Sequence, residues 1–285
     1  MPTVNANSIS ISYELHQPSN PDRAFITSPF DSEHYIVLIN GLADPKETWS
    51  LQIPALTNAG LTVLTFDNRG IGSTSSPAGP YTASLLAADA KALVTHLKIP
   101  SKFHLMGVSM GGMIAQQYAL DYPADILSLT LACTYAAPGP FCSRMFSMWA
   151  DTAPVMGVPF VMRDVTLWAF TQDFFTKRED ELREVETNMK YMTQSTPAYL
   201  AQLAVIQNFD TTERLHQIKV PTLVLAGEQD ILIPVSLSRE LHEAIPGSRW
   251  KTVLGGHGCM WEYPGSFNET CLEFLQSFES KSKND

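Results

Sequence analysis

The sequence predicts an α/β protein: a mostly parallel sheet covered by helices on both faces, with a helical lid inserted after the fifth or sixth sheet strand. Three observations carry this expectation. Near-continuous aliphatic and β-branched runs such as Tyr35–Ile39 (YIVLI) and Leu61–Phe66 (LTVLTF) recur along the first half. They have the pattern of strands covered on both faces. Longer stretches with apolar residues at helical spacing lie between them. The alternation stops near Pro138 and resumes near Val220.

Each element follows from its local pattern. The opening stretch MPTVNANSISISYEL alternates like a strand, and Ile9, Ile11 and Tyr13 read as one face of an edge strand. Strands at 35–39 and 61–66 come next. Ala83–Leu97 puts Leu86, Ala90, Leu93 and Leu97 on one helical stripe, with Thr82 or Ser84 positioned to cap its start. Phe103–Met106 reads as a strand, Met110–Tyr122 as a helix and Ile126–Cys133 (ILSLTLAC) as a further strand. From Pro138 to about Leu215 the chain is helical and rich in Met, Phe and Trp. VPTLVLAG (220–227) and SRWKTVL (248–254) restore the strand rhythm, and SFNETCLEFLQSF (266–278) closes the fold as a helix. The tail SKSKND reads as frayed. The expected division is a core over 1–137, a helical lid over 138–215 and the rest of the core over 216–285.

The bulk numbers exclude several classes. The 285 residues carry a net charge of −10, which disfavours nucleic acid and anionic membranes as partners. No apolar run approaches the roughly 20 residues needed to span a bilayer. No basic start with an apolar core and a cleavage site is seen, so the chain reads as cytoplasmic. Its four cysteines, Cys133, Cys142, Cys259 and Cys271, form no CxxC pair and read as buried free thiols. His257, Cys259 and Cys271 lack zinc-ligand spacing, so no metal and no cofactor is expected.

The chemistry-bearing stretch is FHLMGVSMGG (103–112), in which Gly107-Val108-Ser109-Met110-Gly111 is a G-x-S-x-G between strand and helix. That context marks a nucleophile elbow. A serine at the apex of a tight strand-to-helix turn takes a strained conformation, and side chains at 107 and 111 would collide with the neighbouring backbone. Its hydroxyl needs a base. Of seven histidines, His257 in the glycine-rich loop VLGGHGCMWEYP is best placed to approach the serine. Asp230, just past the strand before it, would orient the ring; Glu228 and Asp210 are the other candidates. The oxyanion donors are expected to be the Met110 N–H and the Leu42 N–H of the loop Asn40-Gly41-Leu42-Ala43-Asp44.

With these motifs in place, the chain resembles the α/β-hydrolase superfamily and, within it, the 3-oxoadipate enol-lactonase-like esterases and lactonases. The resemblance rests on INGL with Trp49 behind it, FDNRGIGSTSSP (66–77), GVSMGG, VPTLVLAGEQDILIP and GGHG-x-x-WE-x-P (255–264). Many relatives have His-Gly where this chain has Asn40-Gly41. Gly70 and Gly72 alone do not make a dinucleotide loop; the resemblance implies instead that Asp67 and Arg69 pair near the sheet edge. Ser109 argues against haloalkane dehalogenases and epoxide hydrolases, which carry aspartate at the elbow. The implied activity is hydrolysis of a small to medium, moderately apolar carboxylic ester or lactone through an acyl-enzyme. A small-molecule receptor on the same fold is the alternative, as is another triad chemistry: hydroxynitrile cleavage, cofactor-free oxygenation or C–C hydrolysis.

The insertion supplies Phe146, Met148, Trp149, Phe160, Met162, Trp168, Phe170, Phe174, Phe175, Met189, Met192 and Tyr199, most of them expected to pack it onto the sheet. Trp149, Trp168 and Phe170 are the candidates for pocket lining. Enol-lactonases act on a carboxylate-bearing lactone, which needs a cation in the pocket. Arg144 and Arg163, both in apolar surroundings within the lid, are the candidates, Arg163 foremost, whereas Arg178 and Arg183 in KREDELREVE read as a solvated helix face.

Overall fold

The apolar runs form eight strands in the computed structural model: β1 (Thr3–Ala6), β2 (Ile9–His16), β3 (Tyr35–Ile39), β4 (Thr62–Phe66), β5 (Phe103–Val108), β6 (Ile126–Ala132), β7 (Thr222–Gly227) and β8 (Arg249–Val253). The structure describes residues 1–19, 34–189 and 192–277; the polar tail SKSKND lies outside them. All eight strands join one sheet in the order β1-β2-β4-β3-β5-β6-β7-β8. β1 and β2 pair antiparallel, as do β2 and β4, and the remaining neighbours are parallel.

Asn7 and Ser8, at φ 48° and 63°, make the two-residue connection between β1 and β2. Positive φ at both positions gives the mirror-image turn whose twist suits a hairpin. β2 is therefore not the edge strand: it is flanked by β1 and β4, and β1 is the edge.

Eleven α-helices accompany the strands in the described residues. α1 (Ile53–Asn58), α2 (Ala83–His96) and α3 (Met110–Asp121) connect the parallel strands; α9 (Val235–Ala244), α10 (Cys259–Glu262) and α11 (Pro264–Gln276) follow later. Thr82 caps α2, accepting a hydrogen bond from the Leu85 N–H at 3.1 Å. α4 (Pro140–Met156), α5 (Val158–Ala169), α6 (Gln172–Lys177), α7 (Glu179–Met189) and α8 (Thr196–Asn208) lie together between β6 and β7. The two-residue period of the strands divides the core. Val37 and Ile39 pack on one face with α2, α3 and α8, while Ile36 and Leu38 pack on the other with α1 and α11. Among the described residues no helix is long and apolar enough to cross a membrane.

Two buried ion pairs pin the loop after β4. Arg69 donates to Asp89 through Nε (2.8 Å) and Nη2 (2.7 Å), and Asp67 accepts from the Lys46 backbone N–H at 2.8 Å and faces its Nζ at 3.4 Å. Asp67 and Arg69 do not pair with each other: Asp67 is committed to Lys46 and Arg69 to Asp89. Truncating Asp89 to alanine would strand a buried guanidinium. Asp89→Ala is expected to lower stability by about 3–5 kcal/mol, read as a shift of the urea midpoint.

Candidate active site

The parallel strands β5, β7 and β8 point their carboxyl ends at one edge of the sheet, where ligands of open α/β sheets gather. Ser109 follows β5 directly and holds φ 55° and ψ −120°. The two glycines flanking it are explained by backbone contact. A Cβ on Gly107 would stand 2.1 Å from the Gly111 carbonyl oxygen, and one on Gly111 would stand 2.0 Å from that of Ile39. The strained serine is clamped by hydrogen bonds. Its N–H donates to the Ala132 carbonyl at 2.9 Å, and its own carbonyl accepts from the Thr134 hydroxyl at 2.9 Å. The next residue, Met110, opens the twelve-residue helix α3, whose first N–H groups have no partner within the helix.

Asp230 follows β7 and His257 follows β8. His257 Nδ1 lies 2.8 Å from Asp230 Oδ2, and Asp230 Oδ1 accepts the Ile233 N–H at 2.9 Å. Both side chains are buried. Burial by itself would lower the His257 pKa; the Asp230 carboxylate outweighs it and holds the imidazole above its ordinary value, with smaller help from Cys133 and Asp44. Glu228 is exposed and accepts from the Thr252 hydroxyl, and Asp210 is exposed and accepts from the Thr212 N–H. Neither faces the ring. Cys133, Asp230 and His257 bring one ligand atom each within 4.8 Å of one another. The imidazole and carboxylate already bond each other, and contact with Cys259 plus burial push the Cys133 thiol well above its usual value. A thiolate is therefore disfavoured there, which makes the trio a poor fit for a metal ion.

The histidine loop is tied to the insertion. Glu262 Oε1 accepts the Gly256 N–H at 2.7 Å, while Oε2 accepts the Thr171 hydroxyl at 2.5 Å. Asn40 organises the loop after β3. Its side-chain amide donates to the carbonyls of Phe66 (2.9 Å) and Asp44 (3.1 Å), and its oxygen accepts the Trp49 indole N–H at 2.8 Å. Leu42 of this loop reaches the cavity wall.

Ser109, His257 and Leu42 line a cavity of about 580 Å³ between the sheet edge and the insertion. Trp149 and Phe170 line it too, joined by Phe146, Met162, Phe174, Met189 and Met192. More of the insertion's large apolar side chains thus face the cavity than expected, although Met148 and Phe160 are exposed. Trp168 and Arg163 do not line it. On α5 the stripe Met162, Val165, Thr166 and Ala169 takes the inner face. A helical period leaves Arg163 exposed and sends the Trp168 indole to Asp164. Arg144 is exposed as well and bonds the Pro140 carbonyl. The cation on the cavity wall is instead Arg178. It donates to the Glu262 carbonyl at 2.6 Å and pairs with Glu181. Asp44 also lines the cavity; an aspartate in a turn is too ordinary to have drawn notice in the sequence.

The fold recurs among known proteins. The profile of the alpha/beta hydrolase fold family matches residues 35–264. A protein of Caulobacter segnis that carries the name carbamate hydrolase RutD is 27% identical over 251 residues, covering 87% of this chain and 93% of its own. The enol-lactonase of Burkholderia xenovorans LB400 superposes with a TM-score of 0.84 at 27% identity, covering 96% of this chain and 99% of its own. A Mycobacterium tuberculosis protein that carries the name non-heme bromoperoxidase BpoC gives 0.80 at 26% identity, covering 94% and 96%. The strand order, the strained serine and the length of these matches lead to one conclusion: the chain belongs to the alpha/beta hydrolase fold family.

Proposed function

We propose that the protein is a serine hydrolase that cleaves a moderately apolar carboxylic ester or lactone through an acyl-enzyme. The observation that carries this reading is the 2.8 Å contact between His257 Nδ1 and Asp230 Oδ2 at the cavity onto which Ser109 opens. With Nδ1 held by the carboxylate, Nε2 is the nitrogen left to take the Ser109 proton. Ser109 Oγ then attacks the carbonyl carbon. The Met110 and Leu42 N–H groups receive the developing oxyanion, each worth about 3 kcal/mol in the transition state. His257 returns the proton to the leaving alcohol, and water repeats the sequence to release the acid. The insertion acts as a lid, and its apolar wall accounts for the apolar part of the substrate. With Arg178 already paired and Arg163 outside the cavity, a carboxylate-bearing lactone is disfavoured. The relatives named for carbamate and peroxide chemistry keep two variants in the substrate panel: a carbamate carbonyl, and peroxide in place of water as the second nucleophile.

A fluorophosphonate probe is expected to label the peptide containing Ser109, seen by mass spectrometry. Ser109→Ala should abolish labelling and cut p-nitrophenyl butyrate turnover by about a thousandfold or more; an unchanged rate would end the hydrolase reading. A ligand-dependent partner with negligible turnover would favour a receptor instead.

The pH profile follows from the sign of the His257 shift. The base works only when neutral, so a raised pKa moves the acidic limb of kcat/KM above the 6.5 of an ordinary histidine. Asp230→Asn removes the charge that raises it. The limb is expected to move to lower pH while kcat falls by about 10³–10⁴, both read from initial rates across the pH range.

A further inference from the structure

Among the described residues that line the cavity, Asp44 is an ionisable group beside the nucleophile that the reaction above leaves idle. The Cβ that Gly41 lacks would stand 2.6 Å from Asp44 Oδ2 and 3.5 Å from Ser109 Cβ, so carboxylate and nucleophile flank a single point. The wall around them is largely apolar. Its other ionisable members are His257, whose Nδ1 is taken by Asp230, and Arg178 and Glu181, which pair with each other. Among the described residues no lysine or arginine forms an ion pair with Asp44. Lys46, two residues on, is committed to Glu47 and Asp67.

A carboxylate has about four acceptor positions. The Gly41 N–H and the Thr48 side chain favour its charged form, as does the field of His257, yet burial outweighs them and pushes the carboxyl up to about 7. A negative Asp44 also opposes the oxyanion that forms at the adjacent loop. A substrate carrying a hydrogen-bond donor beside its carbonyl would satisfy the carboxylate and draw its charge away. A plain alkyl ester would leave it buried with acceptor positions unfilled beyond those that Gly41 and Thr48 occupy, the situation that lets a polar site reject a ligand lacking the matching group.

We propose that Asp44 is a specificity-determining residue whose carboxylate receives an O–H or N–H borne on the atom bonded to the scissile carbonyl carbon, or one atom further. The preferred substrates are then esters, lactones or carbamates with such a donor. This rests on the Ser109 hydrolase reading, and the test separates the two.

The kcat/KM values of methyl 2-hydroxyhexanoate and methyl hexanoate, which differ only in the donor, are compared in the wild type, Asp44→Leu and Asp44→Asn. The wild type is expected to favour the hydroxy ester at least tenfold. In Asp44→Leu the ratio should fall towards one. Asp44→Asn keeps the shape but accepts only a neutral hydrogen bond, so its ratio should fall about threefold or more, and it decides the matter if the leucine variant does not fold. A merely structural role would slow both esters together and leave the ratio intact, which would overturn the assignment. Calorimetric binding of both esters to Ser109→Ala, with and without Asp44→Asn, reads the same preference without turnover. Equal affinities in Ser109→Ala would overturn the role of Asp44. A binding preference that disappears with Asp44→Asn, in a protein whose wild type hydrolyses neither ester, would sustain Asp44 and overturn the hydrolase reading.

Discussion

The constraint on which this structure depends is the close approach of three backbone segments around a strained serine. Ser109 occupies a region of φ and ψ that L-residues avoid, at a cost on the order of 1–3 kcal/mol. It is held there because β5, α3 and the end of β3 nearly touch, with room for no side chain at 107 or 111. Parallel neighbours on both sides fix β5 in the middle of the sheet. The hydroxyl therefore arrives at the cavity on a rigid mount. Its position is set by sheet pairing, and the loops that bring His257 and Leu42 need only reach towards it.

Those two loops solve the same problem by different means. Asn40 fastens its loop through one side chain that donates twice and accepts once from its partners. Hydrogen bonds left unmade in such a place are costly, so Asn40 acts on the structure of the loop. The Ala43 N–H, at positive φ, is taken by Gln202 of α8, and Gln202 in turn donates to the Arg69 carbonyl. The loop after β3, the loop after β4 and the insertion are thus joined by one buried amide.

Sequence patterns reported faces and missed neighbours. Runs such as YIVLI declared strands covered on both sides, and the glycine spacing around Ser109 declared the elbow, because both are local steric demands. β2 was misjudged since alternation along a strand records which face is covered, whereas its partners lie in the hydrogen-bonding plane, about which side chains are silent. Arg163 and Trp168 looked inward because most of their neighbours on α5 are apolar; only the helical phase reveals that Met162, Val165 and Ala169 hold the inner face. Arg178 was hidden in a run of charges. Arg183, one turn into α7, does pair outward with Glu179, but Arg178 precedes the helix and reaches the Glu262 carbonyl across the chain. Asp44 carried no signal at all, since its importance comes from Ser109, far away in sequence.

Glu262 has a bearing on how such enzymes can be recombined. One oxygen serves the histidine loop and the other serves Thr171 at the junction of α5 and α6. The insertion is therefore not a module that can be exchanged at its two ends. A chimera that kept this core but borrowed another protein's insertion without a hydroxyl in place of Thr171 would leave Glu262 Oε2 with only the backbone N–H of residue 171, at 3.2 Å, next to the His257 loop. Transplants should carry the threonine, or neutralise the glutamate along with it.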